Sequence, residues 1–223
     1  MTVLVVAAHP DDEILGLGGT LARHAAEGDA VHILIVAEGA TAREGGTAHD
    51  TGKLRDAAAR AAQAIGAKTI DMLGLPDNQL DTLALLDVIR PIESAVRKIS
   101  PTLVYTHHGS DLNLDHRIVH QAVVTACRPV PTSTIKKIYG FETLSSTEWA
   151  APSMGPAFNP THFVCITETL HAKKAALQCY KTEMRPFPHP RSLDVVEALA
   201  KLRGSAAGLE SAEAFEVILD IRS

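Results

Sequence analysis

The chain has 223 residues, of which 46% are hydrophobic, 21% charged and 4% aromatic, with a formal net charge of -5 and a pI near 6.1. Such a composition can bury a core without staples, and it excludes disorder over most of the length. No lysine/arginine cluster is interleaved with aromatics, so no nucleic-acid partner is expected and a small soluble ligand fits better.

Residues 3–8 form a continuous apolar run of strand length, as in a parallel sheet covered on both faces. No charged segment precedes this run and no stretch is long enough to span a bilayer, so neither a secretory signal nor membrane insertion is expected. Cys127, Cys165 and Cys179 lack paired spacing, which points to buried thiols in a reducing cytoplasm. Residues 14–27 then carry apolar side chains at helical spacing and stop near Gly28, and residues 31–36 read as a second strand.

The alternation continues with a helix over 51–65, a strand over 69–73, a helix over 82–99, a strand over 103–106, a helix reaching about 127 and a strand over 135–139. It predicts an α/β three-layer sandwich around a mostly parallel, Rossmann-like sheet of order 3-2-1-4-5. Beyond residue 140 loops dominate, followed by a short strand at 162–166, helices over 168–180 and 192–203, and a last strand over 216–221. No linker divides the chain. A single domain over 1–223 is expected, with 1–140 as its core and 141–223 as a C-terminal extension packed on it.

In such a sheet, chemistry sits at the carboxyl ends of strands where the strand order reverses. His9-Pro10-Asp11-Asp12-Glu13 follows the first strand directly, and residues 107–117, ending in Asp115-His116-Arg117, follow the fourth. Carboxylates and imidazoles gathered at a buried mouth would repel and desolvate one another without a cation, whereas a divalent metal turns them into ligands. Two imidazoles and one carboxylate, with a position left for water, suit catalytic zinc. Asp11, one residue from Asp12 on a tight turn, can serve as the base beside that water.

The strand followed by Ala8-His9-Pro10-Asp11-Asp12-Glu13, with a later Asp-His pair opening a helix, resembles the PIG-L/LmbE-like family of zinc-dependent N-acetylglucosaminyl deacetylases. The resemblance covers residues 1 to about 140 and touches the tail at Arg203-Gly204 and Ala212-Glu213-Ala214-Phe215. It implies that His9, Asp12 and His116 bind zinc and that Asp11 is the general base, in the hydrolysis of the acetamide of an N-acetylated amino sugar or small glycoconjugate. Asn113 stands where the best-described members have a histidine that stabilises the oxyanion. An asparagine amide donates a hydrogen bond but supplies no proton. Asp11 could return its own proton to the leaving amine, or His107 or His108 could reach in. Arg43 and Asp77 lie at the correct sheet edge to bond sugar hydroxyls.

Simpler roles compete with these. Asp12 could cap the following helix, Asp115 could serve the helix dipole, and Asn113 could be an N-cap. Gly16-Leu17-Gly18-Gly19 suggests a nucleotide-binding turn, but Leu21 replaces the third glycine and the charged segment fills the phosphate position; these glycines more naturally let the first helix pack closely. Two histidines and a carboxylate also suit non-haem Fe2+, or a metal-dependent amidohydrolase with a non-sugar substrate. The low aromatic content disfavours a long polysaccharide groove. A homo-oligomer is compatible with the sequence.

Overall fold

A computed structural model describes residues 1–40 and 48–222, and the side chains of Ala48 and His49 are not described. Five parallel strands, β1 (Thr2–Ala7), β2 (Ala30–Ala37), β3 (Thr69–Leu75), β4 (Leu103–His107) and β5 (Lys137–Phe141), alternate with α1 (Asp12–Ala26), α2 (Ala48–Ala64), α3 (Leu85–Ile99) and α4 (Leu114–Ala126). Beyond them come β6 (His162–Cys165), α5 (Leu170–Leu177), α6 (Leu193–Ala206) and β7 (Ala212–Asp220). The sheet runs β3-β2-β1-β4-β5-β7-β6, so the expected order of the first five strands holds. β7 enters antiparallel to β5, and β6 antiparallel to β7.

Strand side chains alternate between faces, and β1 shows how both faces are covered. Val3, Val5 and Ala7 join a core with Leu21 of α1, Ala61 of α2, Leu177 of α5 and Val196 of α6. Leu4, Val6 and Ala8 join another with Val88 and Ile92 of α3 and Val119 and Val123 of α4. The helices change faces between β1 and β4, where the strand order reverses.

Several boundaries differ from the sequence reading. Helix α1 begins at Asp12, two residues before its apolar spacing does. The helix expected from 82 is a short 3-10 turn, Leu80–Thr82, followed by α3 from Leu85. The last strand begins at Ala212 rather than 216, because Ala212–Phe215 pair with β6.

Helix α1 is broken at Leu17 (φ -149°, ψ 22°), and a buried ion pair occupies the break. Glu213 accepts the N–H groups of Gly19 and Thr20 at 3.0 and 2.6 Å. Lys173 donates to the Leu15 carbonyl at 2.8 Å and to Glu213 at 2.6 Å. Leu15 C=O and Gly19 N–H would bond each other in a regular helix, so two side chains have taken the place of one rung. Glycines make the approach feasible, since a Cβ on Gly16 would lie 2.3 Å from the Phe141 ring and one on Gly19 2.9 Å from Ile166.

Candidate active site

The two polar segments meet at the reversal. Asp12 is the hub: its Oδ2 lies 3.2 Å from His9 Nδ1 and 3.2 Å from His116 Nε2, and it accepts the His9 backbone N–H at 2.9 Å. Its Oδ1 is buried with no hydrogen-bond partner. The outer nitrogen of each histidine faces a second carboxylate: His9 Nε2 is hydrogen-bonded to Asp115 Oδ2 at 3.1 Å, while His116 Nδ1 lies 3.1 Å from Asp111 Oδ1 without the alignment of a hydrogen bond. Carboxylates placed behind imidazoles in this way fix ring orientation and raise donor strength.

Asp111 and Asp115 are themselves held. Thr147 donates to Asp111 Oδ2 at 2.5 Å and Ser146 to its Oδ1, while the N–H groups of Asn78 and Leu80 reach Asp115 at 2.8 and 3.1 Å. Neither role was readable beforehand, since Asp115 resembles an ordinary acidic first-turn residue and Asp111 a loop residue. Burial favours the neutral form of Asp111, yet its contacts with His116, Ser146 and Thr147 hold the carboxyl well below the usual range.

The electrostatics favour a cation. Burial alone would depress the imidazole of His9, but Asp115, Asp12 and Asp77 push it up to about 10. His116 is likewise raised against burial by Asp12 and Asp111, and Asp12 is held well below its ordinary value by His116 and His9. Positive charge is thus drawn into a nest of carboxylates. One ligand atom from each of His9, Asp12 and His116 lies within 4.8 Å of the others, and the orphaned Asp12 Oδ1 is a lone pair in need of a partner. These donors fit a divalent metal.

Asp11 sits beside this group in a strained conformation (φ 107°, ψ -28°) seldom adopted by a non-glycine residue. Glu13 Oε2 accepts its N–H at 3.0 Å, and Arg191 Nη1 donates to its Oδ2 at 2.8 Å. Burial raises the Asp11 carboxyl well above its ordinary value despite Arg191, with Asp12, Glu183 and Glu13 adding to the effect. Burial also raises Glu13, to about 7, against hydrogen bonds that include one from the Tyr180 hydroxyl at 2.6 Å. Arg191 further contacts Ser145 Oγ at 2.7 Å and Glu183 at 3.5 Å. No motif marked Arg191, which arrives from the loop before α6.

The remaining candidates separate. Asn113 caps α4, accepting the N–H groups of Asp115 and His116 at 2.8 and 3.4 Å, while its own amide donates to Asn78 Oδ1 at 3.0 Å and stays at the cleft wall. Asp77 is buried against His9, its Oδ1 3.4 Å from Nε2. His107 and His108, expected at the substrate, are turned elsewhere. His107 Nε2 accepts the Ala8 N–H at 2.8 Å, and its ring stacks on His116 at 3.9 Å; burial and His116 hold it well below its ordinary value, as a neutral support. His108 pairs with Glu216 at 2.7 Å and with the Pro156 carbonyl at 3.1 Å. Arg43 lies outside the described residues.

A cleft of about 180 Å³ opens over His9, Asp11, Asp77, Asn113 and Arg191. Two roomier cavities, of about 400 and 420 Å³, are lined by none of His9, Asp11, Asp12 or His116, so size does not mark the chemistry here.

The chain is 30% identical over 187 residues to the uncharacterized deacetylase YaiS of Escherichia coli (strain K12), covering 81% of this chain and 90% of that protein. Its fold is similar to N,N'-diacetylchitobiose deacetylase from Pyrococcus horikoshii, with a TM-score of 0.78, 20% identity and coverage of 98% and 84% of the two chains. It is equally similar to GalB, the 4-carboxy-2-hydroxymuconate hydratase from Pseudomonas putida KT2440, with a TM-score of 0.79, 22% identity and coverage of 100% and 98%. Residues 4–127, which hold the whole set of His9, Asp11, Asp12, Asn113 and His116, match the model of the GlcNAc-PI de-N-acetylases, and the chain belongs to that PIG-L family.

Proposed function

We propose that the chain is a zinc-dependent N-deacetylase, hydrolysing the acetamide of an N-acetylated amino sugar or small glycoconjugate to a free amine and acetate. The convergence of both inner imidazole nitrogens on Asp12, whose Oδ1 lacks a partner, carries this reading. The fold does not decide the reaction, since a hydratase shares it. What favours hydrolysis is the buried base beside a ligand set.

His9, Asp12 and His116 would hold the ion, and Fe2+ would satisfy the same donors. When bound, such an ion supplies Lewis acidity, polarising the acetamide carbonyl and acidifying water toward a pKa of ~7. Asp11 accepts the proton of the attacking water as the C–O bond forms, and delivers it to nitrogen as the C–N bond breaks. Arg191 occupies Asp11 Oδ2, which leaves Oδ1 for that proton. The raised Asp11 carboxyl suits a group that must both hold and release it. Asn113 offers an amide N–H to the oxyanion, and Asp77 and Arg43 take sugar hydroxyls. His107 acts through His116 rather than on substrate. We place the enzyme in the cytoplasm, acting on a soluble small molecule.

Acetate release from a panel of N-acetylglucosamine derivatives tests the reading, with metal removed and with zinc restored, alongside His116→Ala. Zinc-dependent release that the variant loses is expected. Stoichiometric metal with no release from any compound would move the assignment to a different amide or to iron chemistry.

A further inference from the structure

The cleft over Asp11, about 180 Å³, is on the scale of one sugar ring, and a group attached to that sugar would extend to its rim. One side of that rim has an unusual composition. Residues 149–160, Trp-Ala-Ala-Pro-Ser-Met-Gly-Pro-Ala-Phe-Asn-Pro, contain no ionisable side chain in a protein that is 21% charged. Ala151, Pro152, Pro156 and Ala157 are exposed. The facing loop, Pro186-Phe187-Pro188-His189-Pro190, carries only a histidine.

Trp149 and Phe187 are 51% and 67% exposed, well beyond what large aromatic rings need for packing. Trp149 is tied to the cleft through a chain of contacts, and Phe187 stands two residues before His189 in that chain. The Trp149 ring meets His189 edge-on at 6.1 Å, His189 Nδ1 accepts the Arg191 N–H at 3.1 Å, and the Arg191 guanidinium reaches Asp11. Prolines stiffen both loops, so the shelf is preformed.

Resting on the deacetylase reading, we infer that this shelf is the aglycone subsite and takes an apolar group, alkyl or aryl, linked to the amino sugar. A second sugar is the poorer occupant, because it needs hydrogen-bonding side chains around the aromatic face. On residues 149–160 only Ser153, Asn159 and the indole itself could offer them. Glu148, next to the shelf, is already spent on the N–H groups of Ser145 and Ser146.

The test compares kcat/KM for the methyl and octyl β-glycosides of N-acetylglucosamine, the latter below its micelle concentration, and for N,N'-diacetylchitobiose. The octyl compound should exceed the methyl compound by about tenfold or more, through KM, since a few methylenes leave water. The ratio, read within each protein so that general losses cancel, should fall in Trp149→Ala and Phe187→Ala and approach unity in the double variant. A wild-type ratio near unity overturns the inference, as does a ratio indifferent to both residues or a chitobiose preference that depends on Trp149. Trp149 is the chain's one tryptophan, so its emission separates the two readings if no compound is hydrolysed. A blue shift with octyl but not methyl glucoside then retains the shelf and sinks the deacetylase, and no shift sinks both.

Discussion

Arg191 and Asp11 stand 180 positions apart in sequence, yet their side chains meet at 2.8 Å over the proposed site. Asp11 lies among Asp12, Glu13 and Glu183, and Arg191 is the cation opposing them. Arg191→Ala should lower kcat by about 10- to 100-fold with the metal content unchanged, and Asp11→Asn by about 10²- to 10⁴-fold. Turnover numbers and bound-metal analysis of the two variants check this. Near-normal kcat in Asp11→Asn would remove the base from the mechanism.

Asp115 stands behind His9. Asp115→Asn keeps the shape but weakens the hold on Nε2, so metal affinity should drop about 10- to 100-fold. Competition with a chelator measures it, and wild-type affinity in the variant would assign Asp115 to the helix terminus alone.

Asn113 caps α4, and substitution can separate that role from the proposed one at the oxyanion. Ser also caps helices, so Asn113→Ser should keep the melting temperature while losing the amide donor and with it part of kcat. Asn113→Ala should lose about 1 kcal/mol of stability besides. Unaltered kcat in the serine variant would leave Asn113 as a cap only.

The His108–Glu216 pair gives a pH signature. Its partners raise His108 above 6.5 despite burial, and Glu216 is lowered below 4.5. The histidine contribution is full below its unfolded value and is lost as pH rises through the folded one; the glutamate contribution is present above its unfolded value and is lost as pH falls through the folded one. Stabilisation is therefore greatest between those ordinary values. His108→Gln should cost about 1–2 kcal/mol more near pH ~5.5 than near pH ~9 by denaturant titration. Equal losses at both pH values would contradict the pair.

The ion pair in α1 predicts a large stability effect far from the cleft. Glu213→Ala strands the buried Lys173 ammonium and two helix N–H groups, and should destabilise by about 3–5 kcal/mol. Unfolding curves decide, and a loss below about 1 kcal/mol would mean that water replaces the carboxylate.

The parallel half of the fold was legible because strand-length apolar segments, the clearest at residues 3–8, alternate with helix-spaced ones. The residues of the candidate site that come together were legible as local patterns set at strand ends, His9 through Asp12 and Asp115-His116. What stayed hidden depends on distance. Arg191 and Asp111 have no local signature, and Glu213, though it lies in a segment that resembles the family, gains its role only from Lys173 and the first helix. The directions of His107 and His108 stayed hidden too, because a strand end reveals which loop a residue joins but not which way its ring turns. Alternation within β4 and the Ala8 N–H carry His107 behind His116.

The break in α1 has a consequence for how the protein comes to life on the ribosome. Its missing rung is completed by Lys173, 158 positions after Leu15, and by Glu213, 194 positions after Gly19. Chain growth delivers the first helix and every proposed ligand before the two residues that mend that helix and the arginine that pairs with Asp11. A nascent chain thus carries an unfinished helix and an unbalanced carboxylate cluster until residue 213 has emerged, so the first helix settles long after its own residues are made.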